Sequence, residues 1–196
     1  MKKLKESTRN ELLKSAASEF ALHGFVKSNI DTISVNAGFG KGTVYNYFKS
    51  KLDLFLTVMR NTLNEIVDEV KDKIKNIEDP IKKLEMAITL DISYIEKNSD
   101  LLTTIMKESY TADKSRKDEI LEASLPIFDM YVNLIIEGIE AGCYSQNIDA
   151  PTIALSIIGS CENLALTNKM LNNQFGTAKD LAKNAMQFIL HGIRKT

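Results

Sequence analysis

The sequence is short of the residues that break, bridge or catalyse. Its 196 residues include only three Pro and nine Gly, too few for long linkers or low-complexity tracts. No internal repeat stands out. Two cysteines, Cys143 and Cys161, lack metal-ligand spacing. In a reducing compartment they stay thiols, as buried structural groups or as a redox switch. His23 and His191 are the only histidines, and neither follows Glu-x-x, so the Glu-x-x-His pairs of di-iron bundles are missing. There is no G-x-S-x-G, no phosphate-binding glycine loop and no H-E-x-x-H. The expectation is a protein that is not an enzyme, with no catalytic residue, no metal and no cofactor. No apolar run approaches the roughly 18 residues of a membrane span, and the first residues, MKKLKESTRNELL, lack a signal-peptide apolar core. A cytoplasmic protein with no membrane partner is expected.

What is present describes an ordinary globular chain, 44% hydrophobic and 26% charged, long enough to bury a real core. The net charge of −1 hides an asymmetry. Residues 1–51 carry nine basic side chains and four acidic ones, a net of +5, and the other 145 carry sixteen and twenty-two, a net of −6. A basic head on an acidic body is what local phosphate contact requires.

Helical periodicity runs through the whole chain and no segment reads as a strand; the fold class expected is all-α, with about nine helices. The first seven residues read as a mobile basic tail. Thr8 and Glu11 then fit a capping box for a helix that Gly24 ends. Ser50 and Asp53 open a long fourth helix through Leu52, Phe55, Met59, Ile66 and Ile74, expected to couple head and body rigidly. Asp79-Pro80 and Asp149-Ala150-Pro151 read as N-caps with Pro in the first turn, and Thr177 to Asp180 opens the last helix. Pro126 falls inside a helix of about residues 115–141 and should kink or break it.

The stretch from Ser28 to Lys51 organises the rest. Ser28, with Asp31 three residues on, reads as the N-cap of a short helix whose inner face is Ile30, Ile33, Ser34 and Ala37. Gly38 stops that helix in a left-handed conformation. A second helix opens near Lys41 and buries Val44 and Phe48. Two helices across so short a turn form a helix-turn-helix, whose second helix enters the DNA major groove. Thr43, Tyr45 and Asn46 are then placed to meet base edges, and Lys41 a guanine edge or a phosphate. Asp31 is assigned a helix-start role only.

Ala37-Gly38, Gly42-Thr43-Val44-Tyr45, Tyr47-Phe48 and Ser50-Lys51 resemble the DNA-binding signature of the tetracycline-repressor (TetR) family of bacterial regulators. The resemblance covers roughly residues 8–56, about a quarter of the chain. Ser34 departs from the family's usual Ala, and Gly40 from its usual Ser or Thr, which removes a phosphate-anchoring hydroxyl. The resemblance implies a DNA-binding domain over residues 1–51 and a helical ligand-binding and dimerisation domain over 52–196. It also implies phosphate contacts from Tyr47 and Lys51, joined by Ser28 and Asn29 at the first helix's start. Gly42 belongs to the same DNA-binding set. The partners implied are a palindromic double-stranded operator, an unknown small-molecule effector that releases it, and a second copy of the chain. The protein would act as a repressor.

For the effector, Asp91 and Glu162 each place a carboxylate on an apolar helical stripe. With Met106, Tyr110 and Tyr131 they sketch a pocket for a cationic, partly aromatic compound. The alternative is a salt bridge within the bundle or a rim position open to water for the acids, and plain core for the others. For the dimer, which the resemblance places on the last two helices, the small and apolar residues there include Ile157, Cys161, Leu164, Leu181, Ala185 and Phe188. The alternative is an ordinary intrachain core, which must account for part of the pattern. The competing reading of the whole chain is an all-helical interaction or scaffold protein without specific DNA binding. It would leave the outer face carrying Lys41, Thr43, Tyr45 and Asn46 without a task.

Overall fold

The computed structural model describes residues 2–193. Among them are nine helices and no strand: α1 (Lys2–Lys27), α2 (Ile30–Asn36), α3 (Lys41–Tyr47), α4 (Lys51–Ile74), α5 (Pro80–Lys97), α6 (Ser99–Thr111), α7 (Lys114–Glu140), α8 (Ala150–Met170) and α9 (Ala178–Ile193). Among the described residues no helix is long and apolar enough to cross a membrane, and no group of His, Cys, Asp and Glu could hold a metal ion.

The caps follow the local chemistry of the sequence. Asp79 accepts from the backbone N–H of Ile81 and Lys82, with Pro80 opening α5. Asp149 accepts from Thr152 at the start of α8. Thr177 and Asp180 exchange bonds ahead of α9. Ahead of α4 the Asp53 N–H donates to the Ser50 hydroxyl, while the Asp53 carboxylate accepts from the Lys49 N–H. Two expectations change. The segment read as a mobile tail is helical from Lys2, so no cap is needed at Thr8. The chain leaves helical geometry instead at Gly24, where φ is 70° and a side chain would be strained. α7 also passes through Pro126 as one helix. The lost donor would have met the carbonyl of Glu122, a residue exposed to water, which supplies a substitute.

The chain forms two compact units, Met1–Thr62 with Asp100–Ala123, and Leu63–Ser99 with Ser124–Thr196. The first is built on α1, whose Leu12, Ala16 and Phe20 are fully buried with Ile33 and Val44 of the short helices. Phe20 and Phe55 meet edge to face at 5.2 Å, and Phe25 closes the cluster 5.0 Å from Phe55. Thr104 of α6 donates to the Phe20 carbonyl at 3.2 Å.

In the second unit α5 packs on α8 and α9 around Leu84, Ala87, Ile88, Ala154, Ile157, Ala165 and Ala182. Buried Tyr144 lies flat against Gly138 and donates to the Pro80 carbonyl at 3.3 Å. Asn168, fully buried, bonds Glu96 and the backbone of Phe175 and Gly176, which pins the α8–α9 turn.

Candidate nucleic-acid interface

The helix-turn-helix is built from both ends. Asn29, not Ser28, caps α2: its side-chain oxygen accepts from the Asp31 N–H at 2.8 Å. Ser28 is 6% exposed and turns its hydroxyl back to donate to the Phe25 carbonyl. Its expected phosphate contact is therefore corrected, because both its burial and its hydroxyl are committed inside the domain. Buried Ser34 donates to the Asp31 carbonyl, which explains why a hydroxyl is tolerated at the close approach of α2 and α3. The turn is tied by Gly38 and Phe39 N–H groups to the Val35 and Ser34 carbonyls, with Gly38 at φ 80°. Gly40 opens α3 without a side-chain cap.

α3 buries Val44, and Phe48 follows it into the core with the Arg9 guanidinium over its ring at 5.6 Å. Lys41, Gly42, Tyr45 and Asn46 are exposed, while Thr43 and Tyr47 are half-buried. Tyr45 leaves about half its surface to solvent, at 49%. One convex surface thus carries ammonium, hydroxyl, phenol and amide groups, the donors and acceptors that base edges require.

Charges arrange this surface in ways the sequence did not announce. Lys41 is paired with Asp31 at 3.0 Å; the hydrogen bond to Asp31 and then its charge raise the Lys41 pKa. Asp31 therefore does more than start α2: it holds the ammonium at the head of α3. Lys51 is engaged inward, its Nζ donating to the Ser28 carbonyl at 2.7 Å and the Val26 carbonyl at 3.1 Å, 5.1 Å from the Phe25 ring centroid. Burial lowers its pKa, against the charges of Glu19 and Glu108. Two of its three donors are thus spent on backbone, which leaves one for the phosphate contact expected of Lys51. Glu19, only 5% exposed, accepts from the Asn29 N–H at 3.0 Å. Sequence reasoning missed it; the available signal was an acid beside Phe20 on the apolar stripe of α1.

Two family models divide the chain. Residues 12–58 match the bacterial regulatory proteins of the tetR family, and residues 59–192 match the C-terminal region of YsiA-like proteins. The chain belongs to the TetR family. As a member it is a DNA-binding transcriptional regulator. It is 23% identical over 186 residues to the fatty acid metabolism regulator protein of Bacillus subtilis, covering 93% of this chain and 94% of that one. The fatty acid degradation regulator FadR from Bacillus halodurans superposes with a TM-score of 0.84 at 21% identity, covering 94% and 99% of the two chains. FadR from Bacillus subtilis, in complex with stearoyl-CoA, gives 0.83 at 20%, covering 94% and 98%. These structures show the shared fold.

The second unit of this TetR-family chain brings together some of the expected ligand residues. Asp91, 3% exposed, accepts from the hydroxyl of fully buried Tyr131 at 2.9 Å, and that hydroxyl lies 4.0 Å from the Cys161 thiol. Burial pushes the Asp91 pKa up to about 6 against the hydrogen bonds from Tyr131 and Cys161. Glu162 rises to about 7, through burial first and the Asp91 charge second. Among the described residues neither carboxyl has a salt-bridge partner of opposite charge. Met106 and Tyr110 belong to the other unit, and Tyr110 is corrected to a surface residue, 77% exposed.

The dimer set divides as well. Ile157 and Cys161 are 1% exposed, so these two are corrected to intrachain core. Leu181, 4% exposed, packs inward and also forms part of the wall of an outward groove. Leu164, Ala185 and Phe188 line that groove, of about 620 Å³, with Leu155, Gly159 and Ile189. Phe188 stands 82% exposed there and Leu155 61%.

Proposed function

We propose that this regulator is a homodimeric repressor that reads a palindromic operator with α3 and releases it when a small molecule occupies the helical body. Residues 1–51 are the DNA-reading domain and residues 52–196 the regulatory one. The observation that carries this reading is the outer face of α3. Its inner face is spent on Val44, while Lys41, Tyr45 and Asn46 stay exposed with no packing task. Thr43, Gly42 and Tyr47 complete the DNA-facing set, and Asn29 adds its free amide nitrogen at the α2 N-terminus. The groove lined by Leu164, Ala185 and Phe188 supports dimerisation, because exposed apolar patches of this kind mark association surfaces. Two copies place two recognition helices in successive major grooves, half-site centres one helical turn or a small multiple apart. The protein works in the cytoplasm, where its operator is, and by binding rather than catalysis.

The effector is matched by the names of the relatives before anything else, so long-chain acyl-CoA such as stearoyl-CoA heads the compounds to test. A cationic effector loses support, because Asp91 is already hydrogen-bonded within the bundle. Selection from a random duplex library at physiological salt tests the proposal. The wild type enriches a palindrome and Tyr45→Ala enriches none. Folded wild type that enriches no motif, with or without acyl-CoA, would replace this reading with the scaffold alternative.

A further inference from the structure

A single peptide unit joins α1 to the recognition motif, and both of its polar ends are held by charged side chains. The N–H of Asn29 donates to Glu19 Oε1 at 3.0 Å, and the carbonyl of Ser28 accepts from Lys51 Nζ at 2.7 Å. These are the two halves of one planar amide, so the bonds pull in opposite directions and fix its rotation. Glu19 comes from α1 and Lys51 from the first residue of α4. Bonds to charged groups are shorter and stronger than neutral ones. The Glu19 carboxylate is 5% exposed and also lies 3.8 Å from His23 Nε2. The Lys51 ammonium is further confined by the Val26 carbonyl and the Phe25 ring.

We propose that Glu19 and Lys51 are positioning residues for DNA reading: they clamp the Ser28–Asn29 peptide and so set the direction in which α2, and α3 with it, leaves α1. Asn29 is the N-cap of α2, so rotating this peptide moves the first residue of the motif. The turn bonds from Phe39 to Ser34 and from Gly38 to Val35 tie α3 to α2, so the pair moves together. Lys51 therefore acts on DNA through backbone geometry, not through a phosphate. The inference rests on the DNA-reading proposal and specifies how its reading helix is aimed.

The two roles predict opposite signs at Glu19. If charge alone mattered, removing an acid from the basic head would tighten DNA binding. The clamp requires that it weaken. The test uses the full chain as wild type, Glu19→Met, Lys51→Met, the double variant and Lys51→Arg, each checked for helicity and cooperative unfolding. Affinity for the duplex enriched by the wild type is measured from about 50 to 200 mM salt, and exchange of the Asn29 amide proton is followed by NMR. Both single variants should weaken binding by about tenfold or more, with the double variant no weaker than the worse single, as expected of residues acting as one unit. The salt slope should stay that of the wild type. Asn29 exchange should accelerate in both, and Lys51→Arg, which keeps the donors, should restore affinity and protection. Tighter binding by Glu19→Met, a salt slope shallower by about 0.9 in Lys51→Met, or unchanged Asn29 exchange would each overturn the clamp. Should Lys51→Met fail to fold, Glu19→Met still decides by its sign. Wild type that binds no duplex would instead overturn the DNA reading, and Asn29 exchange alone would then decide whether the clamp exists.

Discussion

Asp91 and Glu162 are the residues whose chemistry departs most from their ordinary values. Both carboxyls have folded-state pKa values raised, to about 6 and about 7, above those of an unfolded chain. The folded state therefore holds their protons more tightly. The stability this contributes is complete below the unfolded value near about pH 4 and is lost as pH rises through about 6 to 7. The groups facing Asp91 are Tyr131 of α7 and Cys161 of α8, with Glu162 adding a like charge. Asp91→Asn keeps an acceptor for the Tyr131 hydroxyl and removes the titration. Its stability relative to the wild type should be greater at pH 8 than at pH 5, by about 1.4 kcal/mol, read as the change in melting-temperature difference between the two proteins. An equal difference between the two proteins at both pH values would contradict the assignment. The sequence showed these acids on apolar stripes, and the alternation of apolar neighbours made that legible. It did not show that Tyr131 and Cys161 would supply the hydrogen bonds of Asp91, since those partners lie 40 or more residues away in the chain.

Elements were legible where their signals were local. Asp79-Pro80, Asp149 and the Thr177–Asp180 pair each cap within three residues, so reading them needed no tertiary structure. Ser28 was misread because its hydroxyl turns back to the Phe25 carbonyl rather than forward to the α2 N-terminus. The inward engagement of Lys51 was missed because its backbone partners are delivered by folding, 23 residues back at Ser28 and 25 at Val26. The α1 start was misread for a different reason, since polar residues without a cap still continue a helix that has already formed. α7 offers a test at this scale. A Cβ on Gly138 would stand 2.0 Å from Tyr144 Cε2, inside any permitted contact. Gly138→Ala should therefore lose stability, by about 1–3 kcal/mol as overpacking does, although Ala is otherwise the better helix former. Denaturant unfolding measures this, and Gly138→Ala combined with Tyr144→Leu should recover part of the loss. A Gly138→Ala chain as stable as the wild type would mean that Tyr144 does not pack there.

For the whole molecule, helical periodicity carried the fold class and the order of elements, but it did not say which apolar face of α8 and α9 turns outward. Both helices have two such faces; Ile157 and Cys161 occupy the inner ones, and Leu181 sits between the core and the outward groove. The outer face, with Phe188 at its centre, is the proposed dimer surface. Phe188→Asp should leave the chain folded, because that side chain is 82% exposed, and should shift it from dimer to monomer in sedimentation. Operator affinity should fall with it, as one head cannot grip both half-sites. A Phe188→Asp chain that stays dimeric would move the interface elsewhere. The central claim is that the outward side chains of α3 read DNA sequence, and the most direct measurement is the base preference of Asn46→Ala and Thr43→Ala in the same random-duplex selection. The account predicts that each change relaxes preference at one or two positions, repeated symmetrically in both half-sites, with the other positions unaltered. Identical motifs from the wild type and both variants would contradict it.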